Sequence, residues 1–193
     1  TEEKGTDVLD TILDAAGQKG TGKWTSIHSL NLGIPLNLIT ESVFSRYISA
    51  LKDQRVLASH AYDKRSDKLV ETKETWLPAL RYALLASKVM SYAQGFMLMR
   101  KASSEYNWSL NLANVALLWR SGCIIQSVFL QNIADAFNND SELFFLGMDD
   151  YFKSIIEEAL PSWRKLAAKS IEQGVPMPCT VSALTFLDSY TCE

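Results

Sequence analysis

The chain has 193 residues, 47% of them apolar, enough for one domain with a sizeable core or for part of a larger one. A formal net charge of −3 disfavours general nucleic-acid binding, which needs a basic face, but leaves room for a small local basic site for an anion. Three widely spaced cysteines (Cys123, Cys179, Cys192) and two histidines make no CxxC pair or Cys/His cluster, which argues against structural zinc and for reduced thiols in a cytoplasmic protein. The opening Thr1-Glu2-Glu3-Lys4 carries no apolar leader, and no stretch supplies the roughly 18 apolar residues of a membrane span.

In chain order, Thr6 or Asp7 is expected to cap a first helix running through Ala16, with Val8, Leu9, Ile12 and Leu13 as its buried stripe. Gly17-Gln18-Lys19-Gly20-Thr21-Gly22-Lys23-Trp24 follows, with three glycines and two lysines in eight residues. Glycine permits positive φ, so this backbone can turn sharply and approach a ligand; a helix starting just after it would favour a phosphate or carboxylate. From the residues alone the stretch is either such an anion loop or a connector that ends a helix. It nearly spells a P-loop, but Trp24 stands where that motif needs Ser or Thr for Mg²⁺, and a helix pattern precedes it in place of a strand.

Thr25 or Ser26 is expected to cap a short helix over Ile27–Leu32, ended by Gly33. A longer helix is predicted from Leu36 to Ala61, burying Leu38, Ile39, Val43, Phe44, Tyr47, Ile48 and Leu51. Arg46 lies within it, and on sequence alone is a solvated or salt-bridged residue. Tyr62 to Thr75 reads as an exposed charged loop. Thr75 then caps a helix to Tyr106, with Pro78 in its first turn. Its small residues (Ala79, Ala83, Ala86, Ser87, Ser91, Ala93, Gly95) place it at the centre of a bundle, and Met90, Met97 and Met99 read as core filler.

Ser109–Trp119 and Cys123–Phe137 read as helices broken at Gly122, and Asn138–Ser141 as a turn. A helix from Asp149 to Gln173, bent near Pro161, a connector Gly174–Pro178, and a last helix Thr180–Tyr190 complete the chain. No alternating strand pattern is present. The expected fold is all-α, a multi-helix bundle of seven or eight helices, forming a single helical unit over 1–193.

Five blocks carry a resemblance. They are Ala15–Thr25, Glu41–Arg46 with Leu51–Val56, Ser91–Phe96 (SYAQGF), Trp119–Ile125 (WRSGCII), and Gly174–Pro178 with Ser182–Leu184. In order and spacing, from about Leu9 to Tyr190, they resemble the 6-phosphogluconate dehydrogenase family. Gln126, Asn111–Asn114 and Thr191–Glu193 depart from the family pattern. The resemblance implies an oxidative decarboxylation of 6-phosphogluconate to ribulose 5-phosphate with NADP, in a homodimeric enzyme of the pentose phosphate pathway.

It also implies that these residues are an internal piece of the helical domain. The family's NADP-binding Rossmann domain and its catalytic lysine and glutamate would lie upstream, and the tail that reaches into the partner subunit would lie beyond Glu193. No GxGxxG occurs here, so no catalytic or cofactor-binding residue is expected in this chain, which alone would not catalyse the reaction. Carried over by motif, Lys19, Thr21 and Arg46 would hold the substrate phosphate and Ile125 would line the substrate cleft. Lys23 is expected to be solvated and Trp24 to be a core anchor. The competing class is a non-enzymatic helical dimerisation or adaptor module, which a phosphate-like anion bound at Lys19 would exclude.

Overall fold

The computed structural model describes residues 7–62 and 72–193. The expected cap at Thr6 and most of the expected loop Tyr62–Thr75 lie outside these residues. Among the described residues there are nine α-helices, one 3-10 turn and no strand. The helices are α1 (Val8–Thr11), α2 (Thr21–Leu32), α3 (Asn37–Ala50), α4 (Lys52–Ser59), α5 (Lys73–Glu105), α6 (Leu112–Leu118), α7 (Leu130–Asn139), α8 (Asp150–Glu172) and α9 (Pro178–Tyr190); the 3-10 turn is Leu146–Met148.

The small-residue helix α5 is central. It packs along α8 and also touches α2, α3, α6 and α9. Ala83 and Ala86 are fully buried, and Ala79 and Ala93 nearly so, which lets neighbouring helices approach closely. The space between α5, α7 and α8 is filled by Val89, Met90, Leu130, Ile133, Phe152 and Trp163. The Trp163 indole N–H donates to the Thr180 carbonyl at 3.1 Å, so the one polar atom of that ring is satisfied and α8 is tied to α9.

Local chemistry sets several helix starts. Asn111 Oδ1 accepts from the Asn114 amide to cap α6, and Asp149 Oδ1 accepts from the Tyr151 and Phe152 amides to cap α8. Pro178 takes the first position of α9, where its missing N–H costs nothing. Helix α8 runs through Pro161 as one element. Helix α5 begins at Lys73, two residues before the expected cap, so Pro78 falls past the first turn.

Several expectations fail: nine helices stand among the described residues where seven or eight were expected, and α6 begins at Leu112 and not at Ser109. The first helix stops at Thr11, and Val8, Leu9, Ile12 and Leu13 are exposed; among the described residues no helix packs on that stripe, and a helix this short has no intrinsic stability. The short helix expected at Ile27–Leu32 begins six residues earlier, at Thr21. The long helix Leu36–Ala61 breaks at Leu51, and only Val43 of its expected apolar face is buried. Helix α3 turns Val43 toward α2 and leaves Phe44, Ile48 and Leu51 on an outer flank that no described element covers. Finally, Cys123–Phe129 is not helical; α7 begins at Leu130.

Candidate functional site

Gly20 has φ = 111°, a left-handed conformation that an L side chain would strain, and it directly precedes Thr21, the first residue of α2. The glycine-rich stretch therefore delivers the chain straight into a helix N-terminus. No side chain caps that end, and the first intrahelical bond is Trp24 N–H to the Gly20 carbonyl at 2.9 Å. The Thr21, Gly22 and Lys23 amides are left without an acceptor among the described residues.

Gly22 serves a second purpose. A Cβ there would stand 2.8 Å from Val43 Cγ2, so only glycine lets α2 lie this close to α3. The approach brings the start of α2 against the face of α3 that carries Ser42, Ser45, Arg46 and Ser49. Those four residues fall at i, i+3, i+4 and i+7, a polar stripe that helical spacing alone makes legible.

Between them lies a cleft of about 710 Å³ lined by Lys19, Thr21, Gly22, Ser45, Arg46 and Cys179, among others. Three of the expected site residues, Lys19, Thr21 and Arg46, thus line one cleft. Neither Lys19 nor Arg46 forms an ion pair or a side-chain hydrogen bond with another described residue. Cys179 brings a second helix N-terminus to the wall, since α9 begins at Pro178 and has no side-chain cap. Two open helix ends and two uncommitted cations in one concavity favour an anion: the amides and the dipoles act in the same direction as the side-chain charges. Burial pushes the Cys179 thiol up, with nearby Glu41 adding to the effect and Ser45 opposing it, so the thiol is held neutral.

Ile125 lines an adjoining cleft of about 710 Å³ with Tyr92, Met99 and Trp119. The two clefts share Thr21, Ser42 and Ile124, so the second opens beside the first. Its wall is fixed by Tyr92, whose hydroxyl donates to the Ile125 carbonyl, while burial raises the phenol's pKa and keeps it protonated. Lys23 is exposed and outside both clefts. Trp24 corrects an expectation. It is 62% exposed, with its ring laid against Gly20, because α2 begins before it and turns it outward.

Residues that sequence reasoning gave no part in the site also shape it, among them Tyr47, which was expected to be buried and is exposed. Gln18, Tyr47, Ser49 and Arg55 hold the Lys19 segment, and their pairings span 29 to 41 positions, which no local pattern signals.

The family described as "6-phosphogluconate dehydrogenase, C-terminal domain" matches residues 1–193. The decarboxylating 6-phosphogluconate dehydrogenase of Aggregatibacter actinomycetemcomitans is 60% identical over 187 residues, 97% of this chain and 39% of that protein. The human enzyme of the same name is 48% identical over 190 residues, 98% of this chain and 39% of its own. Among solved structures, Plasmodium falciparum 6-phosphogluconate dehydrogenase, described with its cofactor NADP+ and its substrate 6-phosphogluconate, superposes with a TM-score of 0.89 at 36% identity. It covers 96% of this chain and 40% of that one. The chain thus spans about two fifths of the length of these relatives. With the whole length matched and the helical architecture shared, the chain belongs to the 6-phosphogluconate dehydrogenase family, in the part that forms its C-terminal domain.

Proposed function

We propose that this chain is the substrate-phosphate-binding and dimer-forming part of an NADP-dependent, decarboxylating 6-phosphogluconate dehydrogenase of the cytoplasm. The observation that carries the reading is the single cleft lined by Lys19, Thr21 and Arg46, open to two uncapped helix ends. The residue types suit a phosphate monoester. Arg46 offers a planar fork, Lys19 a point charge and Thr21 a hydroxyl, beside the free amides of the first turn of α2. Holding the phosphate at one end fixes the rest of the sugar acid, and so the carbon to be oxidised, relative to catalytic groups elsewhere. The neighbouring apolar wall at Ile125 would exclude water on one side of the substrate.

NADP, when bound, supplies the hydride acceptor for oxidation of the substrate carbinol. The described residues do not fit it: there is no strand, and no glycine-rich turn between a strand and a helix to seat a pyrophosphate. In this reading the cofactor and the catalytic lysine and glutamate belong to a part of the polypeptide outside these 193 residues. The described residues contribute no catalytic group.

Dimer formation is supported by the uncovered apolar side chains of α2, α3 and α4, including Leu30, Phe44, Ile48 and Leu57. Sedimentation of the purified chain tests it, and a strict monomer at all concentrations would count against it. The three cysteines are free, which fits a reducing compartment. Among the described residues no helix is long and apolar enough to cross a membrane.

Calorimetric titration with 6-phosphogluconate tests the phosphate site. Arg46→Ala removes charge-assisted bonds worth about 1.5–3 kcal/mol each. Affinity should fall at least about tenfold, with the melting temperature unchanged. Equal affinity of the variant and the parent chain would overturn the assignment and reopen the adaptor reading.

A further inference from the structure

The segment from Asp14 to Gly20 forms no helix or strand, yet it carries Lys19 to the cleft. Ties to the elbow between α3 and α4 fix its path. Arg55 Nη1 donates to Asp14 Oδ2 at 3.0 Å, and Nη2 donates to the Asp14 carbonyl at 2.7 Å. The same Nη2 reaches the Ser49 carbonyl at 3.3 Å, so one guanidinium bridges the segment and the last turn of α3. The Ala16 amide donates to Ser49 Oγ at 3.0 Å. Gln18 Nε2 donates to the Tyr47 hydroxyl at 3.0 Å, while Gln18 Oε1 accepts from the Gly20 amide at 2.6 Å. Asp14, Ala16 and Gln18 are alternate residues, so the segment is stitched to α3 and α4 at regular steps, and Lys19 follows the last stitch.

We propose that Arg55 is a positioning residue for the anion cleft. By clamping Asp14 to the end of α3 it sets the course of the 14–20 segment, and with it where Lys19 stands relative to Arg46. The inference rests on the reading of the cleft as a phosphate site.

Arg55 is not among the residues lining the cleft, so it acts through the segment and not by contact with the anion. Arg46 needs no such help, because a helix already holds its backbone. Lys19 sits on a stretch with no repeating backbone bonds, and without the clamp the arriving anion must itself order that stretch, which weakens binding. The fork geometry matters: a lysine keeps the charge but cannot grasp the carboxylate, its own carbonyl and the helix end together.

The test combines calorimetric binding of 6-phosphogluconate with amide exchange on this chain and its Arg46→Ala, Arg55→Ala and Arg55→Lys variants. Arg55→Ala should weaken binding about tenfold, and Arg55→Lys should fall between it and the parent. Exchange at the Ala16 and Gly20 amides should quicken in Arg55→Ala while α5 and α8 stay protected, and saturating 6-phosphogluconate should slow it again. If Arg55→Ala fails to fold, Asp14→Asn carries the test, with a smaller loss in the same direction; no loss overturns the clamp. Unchanged affinity in Arg55→Ala beside a weakened Arg46→Ala overturns the clamp alone. A parent chain that binds no 6-phosphogluconate overturns the phosphate reading and this inference with it. Exchange that rises equally in α5 and α8 would make Arg55 a general stabiliser and also overturn the proposal.

Discussion

The α5–α8 pair and the layer made by α2, α3 and α4 are both helical, but different forces hold them. Between α5 and α8 the buried contacts are apolar: Met90, Phe152 and Trp163 are fully buried, and the Tyr82 hydroxyl donates to Glu158 only at the exposed edge. In the α2–α4 layer, few apolar side chains are buried, Leu36 and Val43 among them, while many others stay exposed. That layer is held largely by polar ties. The Leu38 amide donates to Gln94 Oε1 at 3.1 Å, which fastens the start of α3 to α5, and Arg55 and Ser49 fasten the Lys19 segment to α3. Apolar burial scales with area and tolerates small shifts, whereas hydrogen bonds fix direction and distance. The cleft lies in the second kind of region. Its geometry is therefore open to single substitutions that leave the bundle standing.

The largest effect is expected where the first kind of force dominates. Trp163→Ala should cost about 3–5 kcal/mol, through lost burial and the lost indole bond to the Thr180 carbonyl. Thermal unfolding should reveal it as a large drop in melting temperature; a change of only a degree or two would mean that α8 and α9 are held otherwise. The next effect falls on the junction. Gly22→Ala places a methyl against the stiff, β-branched Val43, an overpacking cost of about 1–3 kcal/mol, and should separate α2 from α3. Anion binding should weaken more than stability falls. Adding Val43→Ala should restore binding in part, and no restoration would show that the two helices do not meet through this pair.

The smallest effect is one of pH. Arg55 holds the Asp14 carboxyl below its ordinary value of 3.8, first by its hydrogen bond and then by its charge. A carboxyl lowered in the folded state stabilises that state above the unfolded value, and the contribution is lost as pH falls through the folded value. Asp14 is open to solvent, so the gain is screened and small. Protection of the Ala16 amide should accordingly stay level from neutral pH down to 3.8 and decline below it. A decline beginning well above that pH would point to another group.

Helical periodicity and small-residue content identified α5, α8 and α9 because those helices bury the faces that their spacing presents. The same reasoning failed on α1 and on the outer flank of α3. Spacing reports which side is apolar, not whether a neighbour exists to cover it. It also misplaced the start of α2, since glycines depress helix propensity and the decisive event is the packing of Gly22 on Val43, 21 positions away.

For the candidate site, the residue types and the shared helix face of Ser42, Ser45, Arg46 and Ser49 were legible, as were the blocks that mark the family. The sequence by itself therefore determined an all-helical chain with a central small-residue helix, its kinship, and the cationic residues available to an anion. Tertiary structure alone decided that Lys19 and Arg46 line the same cleft, that two helix ends open onto it, and that Arg55 ties the Asp14–Gly20 segment to the end of α3. Those outcomes depend on contacts between residues far apart in the chain, and no local periodicity encodes which distant partner a side chain will meet.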